Sequence, residues 1–283
     1  MNQASISVAM ATYNGEAYIV QQIESILRQT HPVDEIIIVD DGSTDRTVDY
    51  IRQLNCPLIR LWQNETNLGY IENFYKALAQ TTGAYIFLAD QDDIWEPDKV
   101  EQVLSVLQGS EETMAVCTGF TLIDAAGDPI PDAGQYQINP FVLRRHKPVE
   151  TITLHRLAFG NVLQGCTYGL RRAVVDAYLQ IHNAEVIHDY QLMLIAASMG
   201  QVLYLNEPLI RYRLHGNNAV GFGKKERRIE LPNHKASREP FMARFFKQMD
   251  TVTPVPHKRY YLFLYYCRIP YIKAILKRAF CGG

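Results

Sequence analysis

GAYIFLADQDDIWEPDK, Gly83 to Lys99, decides how the rest of this chain is read. Ala84 to Ala89 is an unbroken apolar run containing Tyr, Ile and Phe, the pattern of a buried strand. It stops at Asp90, Gln91, Asp92 and Asp93, and Pro97 opens a helix behind them. Carboxylates crowded at the end of a buried strand are costly unless something positive sits among them. Asp90 and Asp92, with one residue between them, can turn to one side and hold a hard divalent cation through oxygen. Mg²⁺ or Mn²⁺ held this way takes its other ligands from water and substrate phosphates. The plainer reading is a solvated acidic turn. A calcium loop is excluded, because the sharp-turn glycine is absent and Pro97 intrudes.

Upstream, Ile6 to Ala11 is a short apolar strand that breaks at Thr12-Tyr13-Asn14-Gly15. Helical spacing follows through Tyr18, Ile19, Ile23, Ile26 and Leu27, and Pro32 ends it. Glu35 to Val39 is a second buried strand, running into Asp40-Asp41-Gly42-Ser43-Thr44-Asp45, where Ser43, Thr44 or Asp45 can cap the next helix. Leu58 to Trp62 is a third strand, and Asn67-Leu68-Gly69 leads into a helix through Phe74, Ala77 and Leu78. After the strand that ends at Ala89 come a helix over Asp98 to Leu107 and a strand over Met114 to Gly119. Strands alternating with helices over short loops imply an α/β fold, a mostly parallel sheet with helices on both faces. Such sheets bind ligands outside the carboxyl ends of their strands. Thr12–Gly15, Asp40–Asp45 and Asp90–Asp93 all follow strand ends, so three polar clusters converge on one edge.

From Asp124 to Leu157 the pattern weakens into Gly, Pro and polar residues with a basic patch, Arg144 to Lys147, and reads as a long excursion. Order returns at Asn161 to Gly169, followed by helices over Arg171–Ile181 and Gln191–Met199. Asp189 stands at the start of the second helix, either as its N-cap or as a base delivered to the site. Gln201–Leu205 and Leu209–Leu214 read as two strands, and His215-Gly216-Asn217-Asn218 closes the ordered core. Gly221 to Pro256 is polar and charged, the composition of a linker or arm. The tail from His257 to Phe280 mixes aromatics with Lys and Arg around Pro270. It is either an interfacial anchor or a helix docked on the core or on a second subunit.

A chain of 283 residues that is 47% hydrophobic can bury one large core. Its net charge of -2 gives no reason to expect nucleic acid as a partner. Five cysteines without C-x-x-C spacing suit a reducing compartment and speak against zinc or a disulfide framework. The start lacks a signal-peptide pattern and no apolar run is long enough to span a membrane, so a cytoplasmic location is expected.

Taken together, SVAMATYNGEAYI, IIIVDDGSTDRT, NLGYIENFYKAL, GAYIFLADQDDIWEPDKV, QGCTYGLRRAV, IHDYQLM and YRLHGNN resemble an inverting family 2 glycosyltransferase of the GT-A fold. Within that family, DQDD and YRLHGNN look most like bacterial rhamnosyltransferases of surface-polysaccharide synthesis. The resemblance implies a GT-A domain over residues 1–220, with a donor half to about 120 and an acceptor half beyond it, then a linker and tail over 221–283. It implies that Asp41 accepts the ring N–H of a pyrimidine, that Tyr13 packs on the base, and that Asp40 and Asn14 shape the pocket. Thr12, Asn67, Asp90 and Gln91 fall on its nucleotide side, and Trp95, Gly165, Cys166 and His188 on its sugar and acceptor side. Asp90 and Asp92 match the D-x-D element for Mn²⁺ or Mg²⁺, with His215 completing the metal shell, and Asp189 matches the base. The implied partners are a dTDP- or UDP-sugar, with dTDP-rhamnose favoured, and a glycan or lipid-linked acceptor. His188 departs from the Glu that many members carry before the base. The Q-x-x-R-W motif of processive synthases is absent, which implies transfer of one sugar or a few.

Two other readings compete with this one. A sugar nucleotidyltransferase shares the wound sheet, but needs a Gly-rich loop with a basic residue after the first strand. Thr12 to Glu16 has neither Lys nor Arg. A non-catalytic carbohydrate-binding or scaffold relative would be expected to lack some of Asp41, Asp90, Asp92 and Asp189, and all are present.

Overall fold

The apolar runs become strands because both of their faces are covered. In the computed structural model, which describes residues 5–130, 147–157, 161, 163–216, 241–255, 259 and 261, β1 (Ile6–Thr12) turns Val8 and Met10 to one side and Ala9 to the other. All three are fully buried. β2 (Glu35–Asp40) and β4 (Tyr85–Ala89) repeat this with Ile36 and Ile38 against Ile37, and Phe87 against Leu88. Unbroken apolar runs, rather than alternation, are what a two-sided sheet demands. One face is covered by α1 (Ile19–Leu27), α2 (Thr47–Gln53) and α4 (Lys99–Gln108). The other is covered by α3 (Tyr70–Gln80), α6 (Arg172–Ile181) and α7 (His188–Met199).

The remaining strands are β3 (Ile59–Gln63), β5 (Ile94–Trp95), β6 (Thr113–Ile123), β7 (Val149–Ile152), β8 (Tyr168–Arg171) and β9 (Gln201–Arg213), with a short α5 at Leu154–Leu157. Among the described residues the sheet order is β3-β2-β1-β4-β8-β6-β9-β5, with β7 also on β9. β1, β2, β3, β4, β6 and β9 run one way, and β5, β7 and β8 run against them. Strand order reverses between β1 and β4, which opens the crevice where wound sheets bind ligands.

β8 packs tightly against α4. A Cβ on Gly169 would lie 2.4 Å from Val103 Cγ1 of α4 and 3.3 Å from the Phe87 ring. Gly169→Ala is therefore expected to destabilise the fold by about 1–3 kcal/mol through overpacking. A urea melt should show a lower midpoint at unchanged slope.

The structure corrects several expectations. Leu209–Leu214 is not a separate strand: β9 is continuous, and Pro208 sits where its register against β6 shifts. A bulge accommodates a proline that a regular central strand would not. The excursion from Asp124 contains β7, paired with β9, and α5, while residues 131–146, with most of the basic patch, lie outside the described residues. The stretch read as a linker includes α8 (Phe241–Met249), whose Phe245, Phe246 and Met249 are buried in the same core as α6 and α7. Most of the tail beyond residue 255 lies outside the described residues. Among those described, no helix is long and apolar enough to cross a membrane.

Candidate active site

The loops after β1, β2 and β4 meet at the crevice, and their own side chains tie them together. Asp40 is fully buried; it accepts Thr12 Oγ1 at 3.0 Å, the Ser43 N–H at 2.9 Å and the Ser43 hydroxyl. Asn14 sits at φ +48°, a left-handed position that asparagine tolerates. There its Oδ1 accepts the Thr44 N–H at 2.9 Å, and its own N–H donates to Ser43 Oγ at 2.8 Å. Thr12, Asn14 and Asp40 thus hold the loops after β1 and β2 together as a frame. The Tyr13 ring stands 44% exposed on that frame, available as a flat wall.

Asp41 has a different occupation from the one expected. Its Oδ1 accepts Asn64 Nδ2 and the Leu68 N–H, and its Oδ2 accepts the Gly69 N–H, each at 2.8 Å. Asn67 completes the same turn, its Oδ1 accepting the Gly69 N–H at 3.1 Å. A carboxylate has about four acceptor positions, so among the described residues one on Oδ2 remains. Gln91, placed by sequence on the nucleotide side, holds the Tyr13 backbone instead. It accepts the Tyr13 N–H at 2.8 Å and donates to the Tyr13 carbonyl at 3.0 Å.

Asp92 faces His215, with Oδ2 2.7 Å from Nε2. Arg213, two residues before His215, holds the Asp92 backbone, and sequence reading did not single it out. Its guanidinium is buried and donates to the Asp92 carbonyl and Gln21 Oε1, both at 2.7 Å, and to the carbonyls of Asp124 at 3.3 Å and Ala125 at 3.2 Å. It also lies 4.7 Å from the centre of the Tyr18 ring, which packs in turn on the His215 ring at 4.8 Å.

A second acidic group lies inward. Asp90, Asp93 and Cys166 bring ligand-type atoms within 4.8 Å of one another, beside the buried Lys99 ammonium. Burial, then Asp92, pushes Asp90 and Asp93 above the usual carboxylate range, and burial lowers Lys99 to about 7. This group is a poor home for a divalent cation. The Lys99 side chain already occupies the space beside these carboxylates, and burial holds the Cys166 thiol protonated. Asp92 and His215 fit better: carboxylate oxygen with imidazole nitrogen suits Mn²⁺, and less well Mg²⁺. Asp90 lies with the inner group and is also near enough to feel the charge of Asp92. Trp95, by contrast, is corrected. It is 2% exposed in the core, with its ring beneath Lys99 and against Phe87, so it offers no face to a sugar. The Cys166 side chain is likewise buried.

Asp189 approaches the acidic loop from α7. It lies in the first turn of α7, 7% exposed, and burial pushes its carboxyl up to about 7. The N–H groups of Tyr190 and Gly165 and the Asn161 amide are near enough to favour the ionised form. Its Oδ1 is nevertheless buried without a hydrogen-bond partner among the described residues. Gly165 is needed beside it: a Cβ there would lie 3.2 Å from Asp189 Cβ and 3.5 Å from His188 Nε2. His188 stacks on Phe74 with ring centres 4.1 Å apart and meets Tyr70 edge-on. Burial, then His182, lowers His188 to about 3, so it is neutral near pH 7 and adds no charge beside Asp189. Tyr70, which sequence reading missed, is raised by burial and then by Asp189.

The profile of glycosyl transferase family 2 matches residues 7–178. TuaG of Bacillus subtilis, a glycosyltransferase named for teichuronic acid biosynthesis, is 32% identical over 223 residues, covering 77% of this chain and 82% of that protein. The dTDP-rhamnosyl transferase RfbG of Shigella flexneri is 28% identical over 245 residues, covering 80% of each. The chain spans 66% of the length of two further curated relatives. The crystal structure of S. aureus TarS 1–349 with UDP-GlcNAc superposes with a TM-score of 0.64 at 18% identity, over 98% of this chain and 73% of that one. At that identity the likeness speaks for the fold. With its profile match running from β1 into α6, the chain belongs to glycosyl transferase family 2.

Proposed function

We propose that this chain transfers a sugar, with inversion, from a nucleoside diphosphate sugar to a hydroxyl of a glycan or lipid-linked acceptor. The observation that carries the reading is Asp189: a buried carboxyl raised to about 7, one oxygen without a hydrogen-bond partner among the described residues, at the start of a helix. A base poised near the working pH is what removal of a hydroxyl proton requires. In this scheme the acceptor hydroxyl donates to Asp189 and gives up its proton as its oxygen bonds the anomeric carbon. The bond from that carbon to the diphosphate breaks on the opposite face, and the diphosphate leaves with the electron pair. Asp92 and His215 would hold a divalent cation, Mn²⁺ in preference. When bound, such a cation neutralises charge developing on the leaving phosphate. Tyr13 would wall the base, and the remaining acceptor position of Asp41 would take its ring N–H.

Support for L-rhamnose from a dTDP donor comes from the name of the Shigella relative and from DQDD and YRLHGNN. The name of the Bacillus relative favours polysaccharide synthesis, and the UDP-GlcNAc complex of TarS favours a pyrimidine nucleotide. A cytoplasmic site of action, with the basic tail touching the membrane, belongs to the same reading. Thermal melting with dTDP, UDP, GDP and ATP, each with and without Mn²⁺, tests the donor class. A ligand at about 100 times its dissociation constant adds roughly 2.7 kcal/mol to the folded state. Stabilisation by dTDP or UDP that requires Mn²⁺, and is lost in Asp92→Ala, is the expected result. Stabilisation by ATP alone would favour nucleotidyl transfer instead.

A further inference from the structure

Lys99 opens α4 from inside the core, fully buried. Lysine is almost never fully buried unless paired, and the scheme above gives this one no task. Its pairing is unusual. Its Nζ lies 3.6 Å from the centre of the Trp95 ring, beside Asp90 and Asp93. Yet its hydrogen bond among the described residues goes to neither carboxylate. It goes to the carbonyl of Cys166, at 2.7 Å. Balancing charge needs no such bond, since all three ammonium protons are available to carboxylates.

That carbonyl belongs to the 3-10 turn Gly165–Thr167. The first residue of the turn is the one closed against Asp189 and His188, and its N–H is among the groups that favour ionised Asp189. The turn therefore lies between the acidic loop and Asp189: Cys166 Sγ is within 4.8 Å of carboxylate oxygens of Asp90 and Asp93, Lys99 holds the Cys166 carbonyl, and Gly165 meets Asp189.

We infer that Lys99 is a positioning residue whose ammonium fastens the turn Gly165–Thr167 to the Asp90–Asp93 loop, and so fixes where Asp189 stands relative to that loop. The inference rests on Asp189 being the base. A misplacement of about 1 Å at a reacting group costs on the order of 10²-fold in rate. Lys99 thus acts on turnover through Asp189, and leaves binding of the donor to the loops after β1, β2 and β4.

Lys99→Met alone would strand buried carboxylates, so the test pairs it with Asp93→Asn, which removes one charge of each sign. Asp93 Oδ1 accepts the Arg213 N–H at 3.0 Å, and the amide oxygen introduced by Asp93→Asn can accept it as well. Compared with Asp93→Asn alone, the double variant is expected to melt at a similar temperature and keep the donor KM within about 3-fold, while kcat falls about 10²-fold. A kcat within about 3-fold of Asp93→Asn would mean that Lys99 only balances charge. A loss confined to donor KM would mean that it serves the acidic loop alone, and either result overturns the inference. Should the double variant not fold, Lys99→Arg decides, because it keeps the charge but not the compact ammonium held on the Cys166 carbonyl. A fall in kcat at unchanged donor KM supports the inference, and an unchanged kcat overturns it. Turnover by the unsubstituted protein in the same assay separates failure of this inference from failure of the functional reading.

Discussion

Asp189→Asn should lower turnover by about 10²–10⁴-fold, the usual contribution of a general base, while making the protein more stable at neutral and higher pH. The two effects share one cause. Burial raises the Asp189 carboxyl to about 7, so folding at higher pH must hold a charge where the chain gives it little solvation. A carboxyl raised in the folded state contributes stability below its unfolded value, near pH 4, and loses it as pH climbs through the folded value. The neutral amide escapes that loss. The gain is therefore absent at about pH 4, grows between about pH 4 and 7, and reaches at most ~4 kcal/mol above that window. Melting curves at low and high pH, beside initial rates, check both halves. A variant that loses activity and stability together would place Asp189 in the fold rather than in the chemistry.

Arg213→Leu should have the largest destabilising effect of any single substitution considered. The guanidinium serves four oxygens that belong to α1, the loop after β4 and the turn after β6. Removing one partner from a buried charged network typically costs about 3–5 kcal/mol, because the groups left behind keep their desolvation cost. The same substitution releases the Asp92 backbone and the Tyr18 ring that supports His215. Urea melts should therefore show a large fall in midpoint. At temperatures where the variant is still folded, the Mn²⁺-dependent shift with a pyrimidine diphosphate should shrink as well. An Arg213→Leu protein with a normal Mn²⁺-dependent shift would show that Asp92 and His215 find each other without the arginine.

The wound sheet was legible because two-sided burial writes each central strand as an apolar run that stops at a polar cluster. Ile36–Val39 and Tyr85–Ala89 are of this kind, and the loops behind them fall where expected. What escaped depended on partners distant in sequence. β5 is only two residues long and exists through its pairing with Ile210 and Arg211. Pro208 reads locally as a break, but a register shift against β6 absorbs it. In α8 the spacing of Phe241, Phe245 and Met249 was a helical signal hidden by the polar residues before it.

The site divides in the same way. Asp92, His215 and Asp189 were singled out by motif and resemblance, and the structure sets Asp92 against His215. Trp95 and Cys166 were misjudged because nearness to a motif along the chain was taken for nearness to the cavity, whereas both turn into the core. Gln91 looked like a ligand contact, but its amide matches the Tyr13 peptide group in both directions. Lys99 and Arg213 lay within the diagnostic motifs and still drew no role. A basic residue reads as surface until its burial is known, and only the structure supplies that.

The most direct test of the account is the pH dependence of nucleoside diphosphate release from dTDP-rhamnose, with Mn²⁺ and an acceptor fraction, at saturating donor. With Asp189 as the base, kcat should fall below an apparent pKa of about 7 in the unsubstituted protein. Asp189→Asn should lose that limb and run at a low, nearly flat rate. Release at comparable rates in both proteins, with the acid limb unchanged, would contradict the assignment of Asp189 and the mechanism built on it.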